Sequence, residues 1–142
     1  MATAQFGRVI TAMITPFTED GAVDYESAVA LAKHLVAHGS EGLLVGGTTG
    51  EGATMTAEEK LKLYTLIVDA VGKRGEGKKV PVMGNIGTIS TADTIAFGNK
   101  AKETGIDCAL VIVPFYVKPN QEGMYQHFTA VAKGVDLPLV LY

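Results

Sequence analysis

The stretch Gly46-Gly47-Thr48-Thr49-Gly50-Glu51-Gly52 sets two adjacent hydroxyls on a backbone with four glycines, directly after the apolar run Leu43-Leu44-Val45. The carboxyl end of a strand, leading into a helix, is where α/β proteins hold their ligands. Glycines let a ligand approach the backbone amides closely, and each threonine hydroxyl can both donate and accept a hydrogen bond. The combination suits a small oxyanion such as a carboxylate; a plain glycine-rich turn is the alternative that the motif alone leaves open. Two nucleotide motifs are excluded by position. A P-loop needs a lysine directly after its second glycine, yet the first lysine beyond Gly46 is Lys60, and Gly50-Glu51-Gly52 runs on into Ala53-Thr54-Met55 instead of completing a dinucleotide fingerprint.

Other residue types with chemistry to offer are sparse. Cys108 is the only cysteine, which rules out an intramolecular disulfide and disfavours a thiolate metal site; ahead of Ala109-Leu110-Val111-Ile112-Val113 it reads as a small buried hydrophobe. His34 and His38 have i, i+4 spacing but no His-Glu-x-x-His motif, and together with His127 they read as solvated helix positions, so no metal and no cofactor is expected. Tyr64 and Tyr125 fall inside helical patterns and read as structural.

The elements that must position the threonines alternate strictly. Val9–Ile14, Gly42–Val45, Val80–Gly84, Cys108–Val113 and Leu137–Tyr142 are short, rich in branched residues and bounded by turn signals, as buried parallel strands are. Between them run amphipathic helices. One face carries Ala28, Leu31, Ala32, Leu35 and Val36; the next Leu63, Leu66, Ile67, Ala70 and Val71; the third Ile95 and Ala101; the fourth Met124, Phe128, Val131 and Ala132. Caps are expected at Asp24, Thr56, Ser90 and Asn120, with a capping box from Thr56 to Glu59 and stops near Gly39, Gly105 and Gly134. The caps recur at roughly thirty residues, the size of one βα unit. Strict alternation predicts a parallel sheet, either open and doubly wound or part of a (β/α)₈ barrel, and periodicity does not separate the two. Four βα units and a fifth strand would make half a barrel whose edges lie open, so the chain is expected to associate rather than persist as a compact monomer.

Bulk properties bound the partners. A length of 142 residues fits a single domain over 1–142, and 47% hydrophobic residues with 17 glycines fit many short connections rather than disorder. The net charge of −3 offers no footprint for nucleic acid, and the basic cluster Lys73-Arg74…Lys78-Lys79 is broken by Gly75, Glu76 and Gly77 into a solvated loop. Met1 to Phe6 lacks a basic region followed by an apolar core, and no apolar run approaches the ~20 residues that span a bilayer. A soluble cytoplasmic protein without membrane contact is expected.

Read together, Ile14-Thr15-Pro16-Phe17, Gly47-Thr48-Thr49-Gly50-Glu51, Val113-Pro114-Phe115-Tyr116, Gln121-Glu122-Gly123-Met124-Tyr125-Gln126-His127-Phe128 and Leu137-Pro138-Leu139-Val140-Leu141-Tyr142 resemble the dihydrodipicolinate synthase family in order and over essentially the whole chain. The resemblance implies a (β/α)₈ barrel, of which this sequence holds about the first four βα units and the fifth strand. It implies a homotetramer built from tight dimers, condensing pyruvate with aspartate semialdehyde in lysine biosynthesis through a Schiff base on a barrel lysine. By the same resemblance Thr48, Tyr116 and Tyr142 form a catalytic proton relay, Tyr142 acts at the reacting centre, Tyr116 reaches into a neighbouring subunit, and Thr49 holds the pyruvate carboxylate. Hydroxyls suit that work, because carbinolamine and enamine formation moves protons on and off oxygen and carbon.

The family's Schiff-base lysine and the arginine for its second substrate belong to a part of the barrel beyond Tyr142. None of Lys60, Lys62, Lys118 or Lys133 occupies the lysine's place, so the chain as given is expected to lack Schiff-base catalysis. Where lysine-sensitive members carry histidines, an asparagine and a tyrosine for feedback binding, this chain has Ala57, Lys60, Ile89 and Phe115, which implies weak or absent lysine sensitivity. Asn85-Ile86-Gly87 departs from the family's usual Gly-Thr-Gly. Related pyruvate aldolases, the N-acetylneuraminate lyases and keto-deoxy-sugar aldolases, share the barrel and are the alternative within it, although Thr48-Thr49 favours the synthases. A non-catalytic half-barrel is the alternative outside it.

Overall fold

The computed structural model describes residues 6–73, 75 and 79–142. Met1 to Gln5 and, of the basic cluster, Arg74 and Lys78 lie outside the described residues, as do Glu76 and Gly77. Nine elements alternate among the described residues: β1 Ile10–Ala12, α1 Tyr25–Ala37, β2 Gly42–Val45, α2 Ala57–Val71, β3 Val82–Asn85, α3 Thr91–Glu103, β4 Cys108–Val111, α4 Gln121–Gly134 and β5 Leu139–Leu141.

Local chemistry sets the helix starts. Asp24, Thr56, Ser90 and Asn120 each accept a hydrogen bond from the amide three residues on, Ser27, Glu59, Asp93 and Gly123 respectively, and Thr56 with Glu59 completes the reciprocal capping box. Strand ends are set by prolines and loops. Pro81 and Pro138 cannot donate to a ladder but supply carbonyls to Leu43 and Ala109, so β3 and β5 begin just after them and are shorter than the apolar runs that contain them. β1 is shorter than Val9–Ile14 because after Met13, whose amide reaches the Leu44 carbonyl at 3.1 Å, the chain leaves the sheet.

The strands pair in parallel and in simple sequence order, β1-β2-β3-β4-β5. Alternate residues face opposite ways. Leu43, Val45, Val82, Ala109 and Val111 join residues from all four helices in the main core, among them Ala28, Leu63, Ile67, Phe97 and Val131. Met83, Cys108 and Leu110 form a second cluster on the other face with Phe6, Leu44 and Val140, and among the described residues no helix contributes to it. A doubly wound sheet carries helices on both faces and reverses its strand order at a switch point. Helices on one face and an unreversed order are instead the arrangement of a partial (β/α)₈ barrel. Helix faces follow the sequence pattern except at Ala132, which is exposed, while Thr94 and Phe97 add buried positions to α3. Among the described residues no helix is long and apolar enough to cross a membrane.

Candidate functional site

Thr48 and Thr49 lie on the loop from β2 to α2, and the loop's path is dictated by backbone contacts that only glycine permits. Gly46 has φ +66°, and a Cβ there would stand 2.9 Å from the Tyr64 hydroxyl; a Cβ on Gly52 would stand 1.9 Å from the Gly46 carbonyl oxygen. Internal bonds from the Gly52 amide to the Gly47 carbonyl and from the Glu51 amide to the Thr48 carbonyl, both 3.1 Å, fold the loop on itself, with Glu51 at φ 52°. The fold leaves both threonines exposed while Gly46, Gly47, Gly50 and Gly52 are buried.

Three side chains hold this loop from outside. The buried Thr15 hydroxyl donates to the Gly50 carbonyl at 2.7 Å, tying the segment after β1 to the loop after β2. Asn85, at the end of β3, donates from Nδ2 to the Gly46 carbonyl at 3.0 Å and accepts the Gly87 amide at 3.2 Å through Oδ1. Tyr64, fully buried on α2, donates to the Asn85 carbonyl at 2.7 Å, and burial pushes its phenol well above the ordinary range. Tyr64 is structural, as its place in a helical pattern implies, whereas the latching role of Asn85 goes beyond a departure from a glycine turn. A polar residue closing the apolar run Val80–Gly84 was the available signal: a buried strand end that presents an amide needs partners.

Tyr116 and Tyr142 stand on the same rim. Tyr116 lies on the loop from β4 to α4 at φ 69° and is 90% exposed, with Lys118 at φ 45° two residues on. Tyr142 follows β5, its amide donating to the Val111 carbonyl and its carbonyl accepting from Val113, both at 2.9 Å, with its side chain 71% exposed. Parallel pairing therefore gathers Thr48, Thr49, Tyr116 and Tyr142 at the carboxyl ends of three strands. No hydrogen bond joins their side chains among the described residues.

A cavity of about 740 Å³ opens between the loops after β2, β3 and β4, lined by Thr48, Glu51, Lys60, Ile89, Asp93 and Phe115 among others. Three of the four positions matched to feedback binding, Lys60, Ile89 and Phe115, converge here, while Ala57 is half-buried on α2 and does not line it. Lys60 stands with its ammonium 4.7 Å from the centre of the Phe97 ring, and partial burial lowers its pKa. Glu51 and Asp93, which the sequence did not single out, give the cavity an acidic side. Lys62 instead lies over Tyr25 at 4.0 Å, and Lys118 and Lys133 are exposed.

Of the three histidines expected at solvated helix positions, His127 is not solvated. His34 and His38 are exposed and stacked at 4.0 Å, but His127 is buried, 4% exposed, between the start of α3 and α4. Its Nδ1 lies 2.9 Å from the Thr91 hydroxyl and its ring meets Phe128 edge-on. Helical periodicity places it one turn before Val131, on the core-facing stripe, and packing of α4 on α3 covers it. Burial depresses its pKa. Cys108 is buried as expected, its thiol pushed up to about 12 by burial and by the neighbouring Asp107 carboxylate. Among the described residues no cluster of three His, Cys, Asp or Glu could hold a metal ion.

Known proteins match this chain over nearly all of its length. The 4-hydroxy-tetrahydrodipicolinate synthase of Symbiobacterium thermophilum is 55% identical over 137 residues, covering 96% of this chain and 45% of the relative. Among solved structures, a dihydrodipicolinate synthase from Bacillus anthracis superposes with a TM-score of 0.91 at 43% identity, covering 99% of this chain and 46% of that one. The chloride-inhibited dihydrodipicolinate synthase from Acinetobacter baumannii, solved in complex with pyruvate, gives 0.90 at 37% identity, covering 97% and 46%. The chain thus spans less than half the length of the relatives it matches, corresponding to their amino-terminal part. With residues 5–142 matching the pattern of the Dihydrodipicolinate synthetase family, and with a half-barrel that carries its hydroxyls on the strands' carboxyl rim, the chain belongs to that family.

Proposed function

We propose that residues 1–142 are the amino-terminal part, a single truncated-barrel domain, of a 4-hydroxy-tetrahydrodipicolinate synthase, a lyase that condenses pyruvate with aspartate semialdehyde. In this reading pyruvate forms an imine with a lysine from the remainder of the barrel, and this chain supplies the groups that move protons around it. Thr48, Tyr116 and Tyr142 relay protons, and Thr49 with neighbouring backbone amides holds the pyruvate carboxylate. The observation that carries the reading is 55% identity to a synthase over 96% of the chain, with these four residues on one rim. The exposed, left-handed Tyr116 supports a role across a subunit boundary, since a bulky residue held at φ 69° with its ring in solvent gains nothing from its own fold. The reading carries with it a cytoplasmic, homo-oligomeric enzyme, a tetramer built from tight dimers, that needs no cofactor.

The test joins residues 1–142 to the carboxyl-terminal portion of the Symbiobacterium thermophilum relative. Borohydride reduction with pyruvate is expected to leave an adduct on a lysine of the added portion and none on residues 1–142 alone. Turnover with aspartate semialdehyde, rather than with sugar aldehydes, distinguishes a synthase from the other pyruvate aldolases. A chimaera that folds yet traps no pyruvate would overturn the reading.

A further inference from the structure

Along the helix-free face of the sheet the side chains are apolar until the carboxyl rim, where the face turns polar. Asn85 follows Met83 by two residues and pairs with Leu110, which pairs in turn with Val140, so Asn85 shares the face on which those three residues cluster. Tyr142, two residues beyond Val140, lies on it too. The side chain of Asn85 grips one peptide group there. Its Nδ2 donates to the Gly46 carbonyl at 3.0 Å, its Oδ1 accepts the Gly87 amide at 3.2 Å, and the Tyr64 hydroxyl donates to its backbone carbonyl at 2.7 Å. The peptide so held joins Gly46 to Gly47, and a peptide between two glycines can flip at little steric cost. Planarity makes the Gly47 amide point opposite to the Gly46 carbonyl, so a donor at Asn85 selects one of the two orientations and with it the course of the chain into Thr48 and Thr49. Asn85, Gly47 and Thr48 line the same cavity.

Resting on the function proposed above, we propose that Asn85 is a positioning residue for pyruvate: by fixing the Gly46–Gly47 peptide it aims the backbone amides around Thr48 and Thr49 at the substrate carboxylate. Asn85 stands where the family's usual Gly-Thr-Gly begins with a glycine, so this chain holds the peptide with a side chain that a glycine does not have. The hold is directional, because an amide donates where a carboxylate of the same shape cannot. Since the subsite receives the pyruvate carboxylate, pyruvate rather than the aldehyde depends on this latch.

Two substitutions in the chimaera test this. Asn85→Asp keeps the size of the side chain and the acceptor for Gly87 but turns a carboxylate oxygen toward the Gly46 carbonyl, and Asn85→Ala removes both bonds. Each is expected to raise KM for pyruvate about tenfold or more while KM for aspartate semialdehyde stays within about twofold. The aspartate variant carries a signature that a general loss of stability would not give. Once protonated, its carboxyl donates to the Gly46 carbonyl again, so its pyruvate KM relative to the unsubstituted chimaera should fall from about pH 8 to about pH 5.5, and the ratio for the alanine variant should stay flat. Hydrogen exchange in the ligand-free chimaera reads the latch without turnover: amides of residues 47–52 should exchange about tenfold faster in both variants, with those of α1 unchanged. Unaltered loop exchange would overturn the proposal, as would both KM values rising together. A chimaera that traps pyruvate and keeps its pyruvate KM in both folded variants would overturn the proposal alone, whereas an unsubstituted chimaera that folds yet traps no pyruvate would overturn the functional reading and this proposal with it.

Discussion

At the residue scale, two positions connect environment to a measurable consequence. Thr48 spends no packing on its hydroxyl, since its side chain is exposed and its loop is held by Thr15, Asn85 and glycine contacts instead. In the chimaera described above, Thr48→Val should leave folding intact and lower turnover by about 10²–10⁴, the scale for loss of a positioned acid–base group; near-normal turnover would remove it from the relay. His127 is the reverse case, a group whose environment concerns stability. Burial lowers its folded pKa below the ordinary 6.5, so the unfolded chain binds the proton more readily. Its contribution is fully present above about pH 6.5 and is lost as pH falls from there through the depressed folded value. Urea unfolding across this window should show stability falling with acidification, and His127→Gln should flatten that slope; equal slopes in both proteins would mean that other groups set it.

Elements act by bringing distant loops together. The loops after β2, β3 and β4 assemble one cavity from residues more than sixty positions apart, Glu51 and Phe115 among them, because parallel strands deliver all their carboxyl ends to the same rim. Within that cavity Lys60 sets a cation, and Ile89 and Phe115 set apolar surface, where a lysine ligand would need neutral or acidic polar partners. Initial rates of the chimaera are therefore expected to change less than about twofold over lysine concentrations that fill the feedback site of a sensitive enzyme, a difference of under about 0.4 kcal/mol in apparent binding. Saturable inhibition at low lysine would mean that Glu51 and Asp93 recruit the ligand despite Lys60.

For the whole molecule, Cys108 reports the integrity of the sheet. It is buried in the cluster on the helix-free face, and its thiol is held up to about 12 by burial and Asp107, so little thiolate exists near neutral pH. Alkylation should be slow in the native chain and should accelerate along the same urea profile as loss of helical circular dichroism. Fast labelling before unfolding would show that the helix-free face opens by itself. Much of this architecture was legible in the sequence, because caps, strand runs and glycine stops act through contacts within a few residues: Asp24, Thr56, Ser90 and Asn120 each cap the helix expected of them. Motif order likewise identified the family and the rim residues Thr48, Thr49, Tyr116 and Tyr142. Periodicity left the choice between an open doubly wound sheet and a half-barrel unmade and the ordered motifs pointed to the half-barrel, but its physical ground lies in the tertiary structure, since strand order and the side on which helices pack are not properties of any local window. Tertiary structure also buried His127, which periodicity could align with Val131 but only the packing of α3 could cover, and it made Asn85 the latch between two loops whose partners lie 39 residues apart. Hydrogen bonds and burial of that range depend on where parallel pairing brings separate segments together, and that placement exists only once the sheet has formed.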